Sequence, residues 1–199
     1  MLKVVIASGN RGKLKEFEDI LNERVTPYYE ILGKFEIVED GDTFAKNALI
    51  KAREIYKKLG EDYIVISDDS GISIDALNGK PGIYSARFAG ENASDKDNLQ
   101  KAVDELKALN LDSSKAHYTA AIAIVSRYGE YIVHGWMYGS VTTTPRGDNG
   151  FGYDPIFIPD GFKSTLGELD NSIKKEISHR FKALNLAKPI IGMLRRYSE

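Results

Sequence analysis

At 199 residues, with 42% hydrophobic and 28% charged residues, the chain can bury the core of one domain and is too apolar to be disordered. Its 27 basic and 29 acidic residues leave a formal net charge of −2, which argues against a general nucleic-acid-binding surface, and no apolar run approaches the ~20 residues that span a membrane. With no cysteine it has no disulfide, zinc–thiolate site or thiol nucleophile, a composition that suits a reducing cytoplasm.

The opening "MLKVVIASGN" reads as a first strand, Leu2–Ala7, rather than a targeting segment, because Gly, Asn and Arg end its short apolar run. After the loop "SGNRG", Leu14, Phe17, Ile20 and Leu21 fall at helical spacing and predict a helix from about Lys13 to Leu21. A short strand is expected near Phe35–Val38. Thr43 then suits an N-cap, and Phe44, Ala48, Ala52, Ile55 and Leu59 make one apolar stripe that Gly60 ends. Asn47, Lys51 and Lys58 are assigned to the opposite, polar face.

Strands follow at Tyr63–Ser67 and Ile72–Ile74, with a turn expected between them at Ser70–Gly71. A helix over about Asp95–Leu109 turns Leu99, Val103 and Leu106 inward. Strands at His117–Ser126 and Tyr131–Tyr138 are joined at "RYGE", a hairpin signal. His117 and His134 fall within them and read as packing residues, and Phe157 reads as core. The stretch "TPRGDNGFGYDPIFIPDGF" is too rich in Gly, Pro and Asp to be regular, which marks a functional loop. A closing helix from about Ser178 carries Phe181, Leu184, Ile191 and Leu194, with Pro189 expected to bend it. No repeat or linker divides the chain, so residues 1–199 read as a single α/β domain with a mixed sheet.

Five stretches carry chemistry. "SGNRGK" (Ser8–Lys13) places a glycine-bearing turn between a strand and a helix whose first turn holds Lys13, a cradle for phosphate. It is not a Walker A loop, since its glycines are three positions apart and Leu14 follows the lysine. An ordinary β–α turn explains it equally well. In "SDDSG", Asp68 and Asp69 resist ionising side by side unless a cation lies near. Magnesium takes one or two carboxylates and completes its shell with water and phosphate oxygens, so the pair suits it, and Ser70 can donate to a phosphate. A solvated Asx turn is the plain alternative.

"VEDGDTFAKNALIKA" adds Glu39 before a helix and sets Lys51 one turn beyond Asn47. A third metal acid and a phosphate-binding lysine are one reading, a dipole-favoured acid and a solvated lysine the other. Lys46 in the first turn has no evident reason. "GDNGFGYDP" sets Phe151 between glycines, where a planar base can stack on it, followed by Tyr153 and Asp154. "EISHRFKAL" places Ser178, His179 and Arg180 at a helix start with donors expected to face outwards. Arg180 has the donor fork that the oxo edge of a base accepts, or it is a surface cation.

Taken together, "ASGNRGKLKEF", "EDGDTFAKNALIKA", "SDDSGISIDALNGKPGIYSARFAG", "NGFGYDPIFIP" and "ISHRFKAL" resemble the inosine/xanthosine triphosphate pyrophosphatases, house-cleaning enzymes for deaminated purine nucleotides. The resemblance covers most of the chain in the family's order. It implies an elongated central mixed β-sheet flanked by helices, with two lobes and an active-site cleft between them, and a bacterial-type homodimer in the cytoplasm. The implied reaction converts ITP, dITP or XTP and water to the monophosphate and pyrophosphate with Mg2+. No role for nucleic acid or membrane is implied.

Carried onto this sequence, the resemblance makes Asp69 the water-activating base and Glu39, Asp68 and Asp69 the metal acids. Substrate contacts fall on Ser8, Gly9, Asn10, Arg11, Gly12, Lys13, Lys51 and Ser70 for the phosphates. For the base they fall on Phe151, Gly152, Tyr153, Asp154, Lys174, His179 and Arg180. Two positions depart from the family: Lys46 stands where a glutamate is common, and Asp40 where a threonine is. Hypoxanthine and xanthine present an oxo acceptor at position 6 and adenine an amino donor, so donors there discriminate between them. Two rivals differ in kind: a related pyrophosphatase for modified pyrimidine nucleotides, and a non-catalytic nucleotide sensor. Clustered acids at a phosphate site count against the sensor.

Overall fold

A computed structural model describes residues 2–197. Six strands, β1 (Lys3–Ile6), β2 (Thr26–Pro27), β3 (Tyr63–Ile74), β4 (Ser113–Ser126), β5 (Gly129–Thr142) and β6 (Phe157–Pro159), form one sheet in the order β2-β1-β3-β4-β5-β6. β1 runs parallel to both β2 and β3, and β6 runs antiparallel to β5. β4 and β5 are sheet neighbours linked only by Arg127 and Tyr128, a link too short for a parallel crossover. The sheet is therefore mixed, as expected. The helices are α1 (Arg11–Leu21), α2 (Tyr29–Leu32), α3 (Phe44–Leu59), α4 (Asp95–Ala108), α5 (Asn171–Ile177) and α6 (His179–Arg196).

The chain divides into two compact units. The first comprises Met1–Asp69, Ala120–Gly135 and Arg180–Glu199. Its strands are apolar on both faces because helices cover both, which is why "YIVI" and "AAIAIV" read as unbroken runs. Residue parity sorts them. Ile6, Ile64, Ile66, Ala120, Ile122 and Ile124 pack with Leu14, Phe17 and Ile20 of α1 and Leu184, Ala187 and Ile191 of α6. Val5, Val65, Ala121, Ala123 and Val125 pack with Ala48, Ala52 and Ile55 of α3. Small side chains on strand and helix let α3 approach closely, and the Ser67 hydroxyl donates to the Ala48 carbonyl.

The second unit comprises Ser70–Thr119 and Trp136–His179. Ile72, Ile74, Tyr118, Met137 and Phe157 pack against Leu99, Ala102, Val103 and Leu106 of α4. A capping box between Ser94 and Asp97 starts that helix. Gly71 is fixed by crowding: a Cβ there would stand 2.5 Å from the Gly82 carbonyl oxygen and 2.9 Å from Ser85 Cβ.

Several expectations need correction. No turn separates Tyr63–Ser67 from Ile72–Ile74; β3 runs unbroken through Asp68, Asp69 and Ser70. The strand expected at Phe35–Val38 is absent, although its alternation is real. Phe35 and Ile37 pack on the core beneath α3 while Val38 is exposed, but no strand among the described residues pairs with them. Asn47 is buried rather than on the polar face, accepting from the Gly41 amide at 2.8 Å. Lys46 finds its reason in a surface ion pair with Asp42 at 2.7 Å. Phe157 is core, and His117 packs its ring on Tyr138 at 5.6 Å. Pro189 lies inside α6.

Candidate active site

β1 delivers the chain into the loop that precedes α1. Asn10 caps the helix by accepting from the Lys13 amide at 3.1 Å, and the Ser8 hydroxyl accepts from the Asn10 amide at 3.2 Å. These bonds hold Ser8, Gly9, Asn10, Arg11 and Gly12 as a turn whose helix end presents unpaired N–H groups. Gly9, Asn10 and Arg11 are exposed. Lys13 sends its ammonium 2.7 Å from Asp68.

The strand continuity decides how the tandem aspartates behave. Side chains alternate along β3, so Asp68 follows Ile64 and Ile66 to the α1/α6 face, and Asp69 follows Val65 and Ser67 to the α3 face. Each acid therefore has its own cations. Asp68, 1% exposed, lies 2.7 Å from Lys13 and 3.3 Å from Arg180, and Arg180 is also bound by Glu16. Lys13 and Glu16 stand three residues apart on α1, one face of the helix, and close a ring of four charges with Asp68 and Arg180. Burial opposes the charge of Asp68, but Arg180, Lys13 and Lys51 outweigh it and hold the carboxyl well below the usual range. The Arg180 guanidinium, itself buried, is held protonated against burial by Asp68 and Glu16.

Asp69, 8% exposed, has different company. Lys51 of α3 places its ammonium 3.2 Å from Asp69 Oδ1 and 2.7 Å from Glu39. The Ser67–Ala48 bond fixes α3 one turn before Lys51, and the Asn47 side chain fixes the segment after Glu39 through Gly41. The other oxygen of Asp69, Oδ2, is buried and accepts no hydrogen bond among the described residues. Burial pushes the Asp69 carboxyl up, with Glu39 and Asp68 adding and Lys51 and Lys13 opposing. Lys51 is shifted up, its burial outweighed by Asp69, Glu39 and Asp68. Two neighbouring acids are thus driven apart in basicity, the arrangement by which one carboxylate stays ionised while the other serves as a base.

No three acids or imidazoles among the described residues gather closely enough to hold a metal by themselves. The expected trio of Glu39, Asp68 and Asp69 is instead interleaved with lysines. Glu39 and Asp69 still fit magnesium, which takes one or two carboxylates and fills its shell with water and phosphate oxygens. Their oxygens, of the required hardness, converge on the single Lys51 ammonium, so both face one place.

The second unit gathers another set. Asp154, 4% exposed, accepts from Lys174 at 2.6 Å and from the Phe151 amide at 2.9 Å through one oxygen. Tyr118 reaches its other oxygen at 3.5 Å. The Lys174 ammonium lies 4.8 Å from the Phe151 ring centre. His179 stacks on Tyr118 with ring centres 4.7 Å apart and planes 10° from parallel. Tyr153 donates to the Ser85 carbonyl at 2.8 Å, and the Gly152 amide donates to Asp95 at 3.0 Å. Ser178, His179 and Arg180 are buried, against the expectation that they face outwards.

Lys174, His179, Phe151 and Asp154 are thus brought together, while Arg180 joins the Asp68 cluster. Ser70 sits half-buried in β3. Sequence reading missed Glu16, Tyr118 and Asp95. Only Glu16 left a signal, its three-residue spacing from Lys13.

Fold and site define an α/β protein with a built anion cradle beside paired lysines and carboxylates. The chain belongs to the Ham1 family, whose sequence pattern matches residues 4–190. It is 63% identical over 199 residues to a dITP/XTP pyrophosphatase of Sulfurovum sp., covering 98% of this chain and 95% of that one. It is 54% identical over 199 residues to the dITP/XTP pyrophosphatase of Sulfurimonas denitrificans, covering 97% of this chain and all 100% of the relative. The solved structure of a HAM1 protein from Coxiella burnetii superposes with a TM-score of 0.87 at 38% identity, over 97% of this chain and 100% of that one.

Proposed function

We propose that the chain is a nucleoside-triphosphate pyrophosphatase that cleaves ITP, dITP and XTP between the α- and β-phosphates, removing deaminated purines from the nucleotide pool. The reading takes residues 1–199 as one catalytic domain. The observation that carries it is Asp69, a buried carboxylate of raised basicity with a bare oxygen, set beside a lysine and near a phosphate cradle. The dITP/XTP pyrophosphatase names of its relatives support the choice of substrate.

Asp69 Oδ2 orients the attacking water and accepts its proton. Positioned base catalysis of this kind contributes ~10²–10⁴-fold. The α1 amides, Ser8, Asn10 and Lys13 hold phosphate oxygens, and Lys51 turns from its two acids towards the leaving pyrophosphate. Glu39 and Asp69 would hold Mg2+, with Asp68 supporting from the far side of the strand. That ion supplies charge neutralisation on the phosphates. The base stacks on Phe151, and Tyr153, Asp154, Lys174 and His179 set its surroundings.

The reading places the enzyme in the cytoplasm, which the absence of cysteine suits, and as a homodimer, in keeping with the bacterial enzymes that it resembles. Among the described residues no helix is long and apolar enough to cross a membrane. The test is to incubate the protein with ITP, XTP, dITP, GTP, ATP and UTP plus magnesium and to identify products. IMP with pyrophosphate is expected from ITP. Orthophosphate with IDP, or preference for UTP, would overturn the proposal.

A further inference from the structure

We infer that Asp95, the first residue of α4, is a positioning residue for the base-binding segment: its carboxylate holds the Gly152 amide and so sets where Phe151 lies. The inference rests on the reading of Phe151 as the residue on which the base stacks. Gly150 and Gly152 flank Phe151 with φ of +82° and +61°, left-handed conformations that glycine enters without strain and leaves as freely. A segment so hinged needs ties from outside itself. On one side Asp154, buried and itself held by Lys174 and Tyr118, ties the Phe151 amide; the Gly152 side needs a tie of its own. The Asp95–Gly152 bond, 3.0 Å long, reaches 57 residues back to a helix whose Leu99, Ala102, Val103 and Leu106 are buried in the core.

Asp95 is not needed to start that helix. Ser94 caps it, accepting from the Asp97 amide at 3.2 Å while the Asp97 carboxylate accepts from the Ser94 amide at 2.9 Å. Asp95 is exposed, so its replacement leaves no cavity. It shares the favourable place of any acid in a first helical turn, but that depends on charge alone. The Gly152 bond depends on an acceptor oxygen. Asparagine keeps the oxygen and loses the charge; alanine loses both. A tied segment meets the base already ordered, whereas an untied one must be ordered by it, so the loss falls on binding rather than on the chemical step.

The experiment compares Asp95→Ala and Asp95→Asn with the wild-type protein. It measures kcat and KM for ITP with magnesium, and the hydrogen-exchange rate of the Gly152 amide without nucleotide. Asp95→Ala should raise KM roughly fivefold to twentyfold with kcat within about twofold, and speed Gly152 exchange about tenfold. Asp95→Asn should stay within about twofold of wild type in all three. Any fall in melting temperature common to both reports the helix charge. An unchanged KM and exchange rate in Asp95→Ala, or equal impairment in both variants, overturns the inference. Wild-type protein inert towards ITP would instead overturn the functional reading, and the exchange rate at Gly152 would still decide whether Asp95 ties the segment.

Discussion

Replacing Asp69 by asparagine should stop turnover and at the same time make the metal-free protein more stable. The carboxylate is 8% exposed, and its Oδ2 accepts no hydrogen bond among the described residues. An unsatisfied buried group costs about 1–3 kcal/mol, and more when charged. Against this stands the contact with Lys51 at 3.2 Å, but that lysine keeps its closer partner, Glu39, at 2.7 Å. The neutral amide therefore gains about 1 kcal/mol, seen as a melting temperature about 2–4 °C higher at pH 7 in chelator. The sign follows from the raised carboxyl. Such a group favours the folded state while protonated, below its ordinary value, and that contribution is lost as pH rises through the shifted one. The advantage of the variant should therefore vanish near pH 3 and be full at neutral pH. Pyrophosphate release should fall ~10²–10⁴-fold. Activity within tenfold of wild type, or a lower melting temperature at pH 7, would refute the reasoning.

Arg180→Ala strips the buried Asp68 of one of its two closest cations and leaves Glu16 without its guanidinium, so denaturant melts should show a loss of about 3–5 kcal/mol at pH 7. Asp68 is held below the usual carboxyl range, so its contribution is present at neutral pH and lost on acidification, and the variant should differ less from wild type at pH 2 than at pH 7. A variant as stable as wild type at pH 7 would refute the charge ring. Gly71→Ala must push β3 away from the Gly82 carbonyl and Ser85, at a cost of about 1–3 kcal/mol by chemical denaturation; no loss would mean the crowding relaxes freely. Tyr118→Phe keeps the stack under His179 and should leave KM for ITP within about twofold, whereas Tyr118→Leu should raise it about fivefold or more. Equal kinetics in both would remove Tyr118 from base recognition.

Most of the fold was legible because its signals are local. Thr43 and Gly60 bound α3 as read, and the stripe from Phe44 to Leu59 is the buried one except that Asn47 lies inside it. Alternation at Phe35–Val38 was genuine but is also what an extended segment shows when it lies on a core without pairing. β2, α2, β6 and α5 were missed, with two, four, three and seven residues, too few for periodicity to register, and β6 lies within the stretch expected to be irregular. At the site, residue types were readable and partnerships were not. The ring of Lys13, Asp68, Arg180 and Glu16 joins three elements far apart in sequence. Nothing near Arg180 tells that its fork is engaged by acids, and nothing near Tyr118 tells that an imidazole lies over it.

Because Asp68 and Asp69 differ only by odd and even position on a pleated strand, the division of labour between them is a matter of phase. Sliding β3 by one residue against β1 would turn each carboxylate to the other's face and also turn Ile64 and Ile66 out of their core. Hydrophobic register and proton chemistry are therefore locked to the same count. A redesign that lengthens this strand ahead of the acids can keep the enzyme working only by adding residues in pairs.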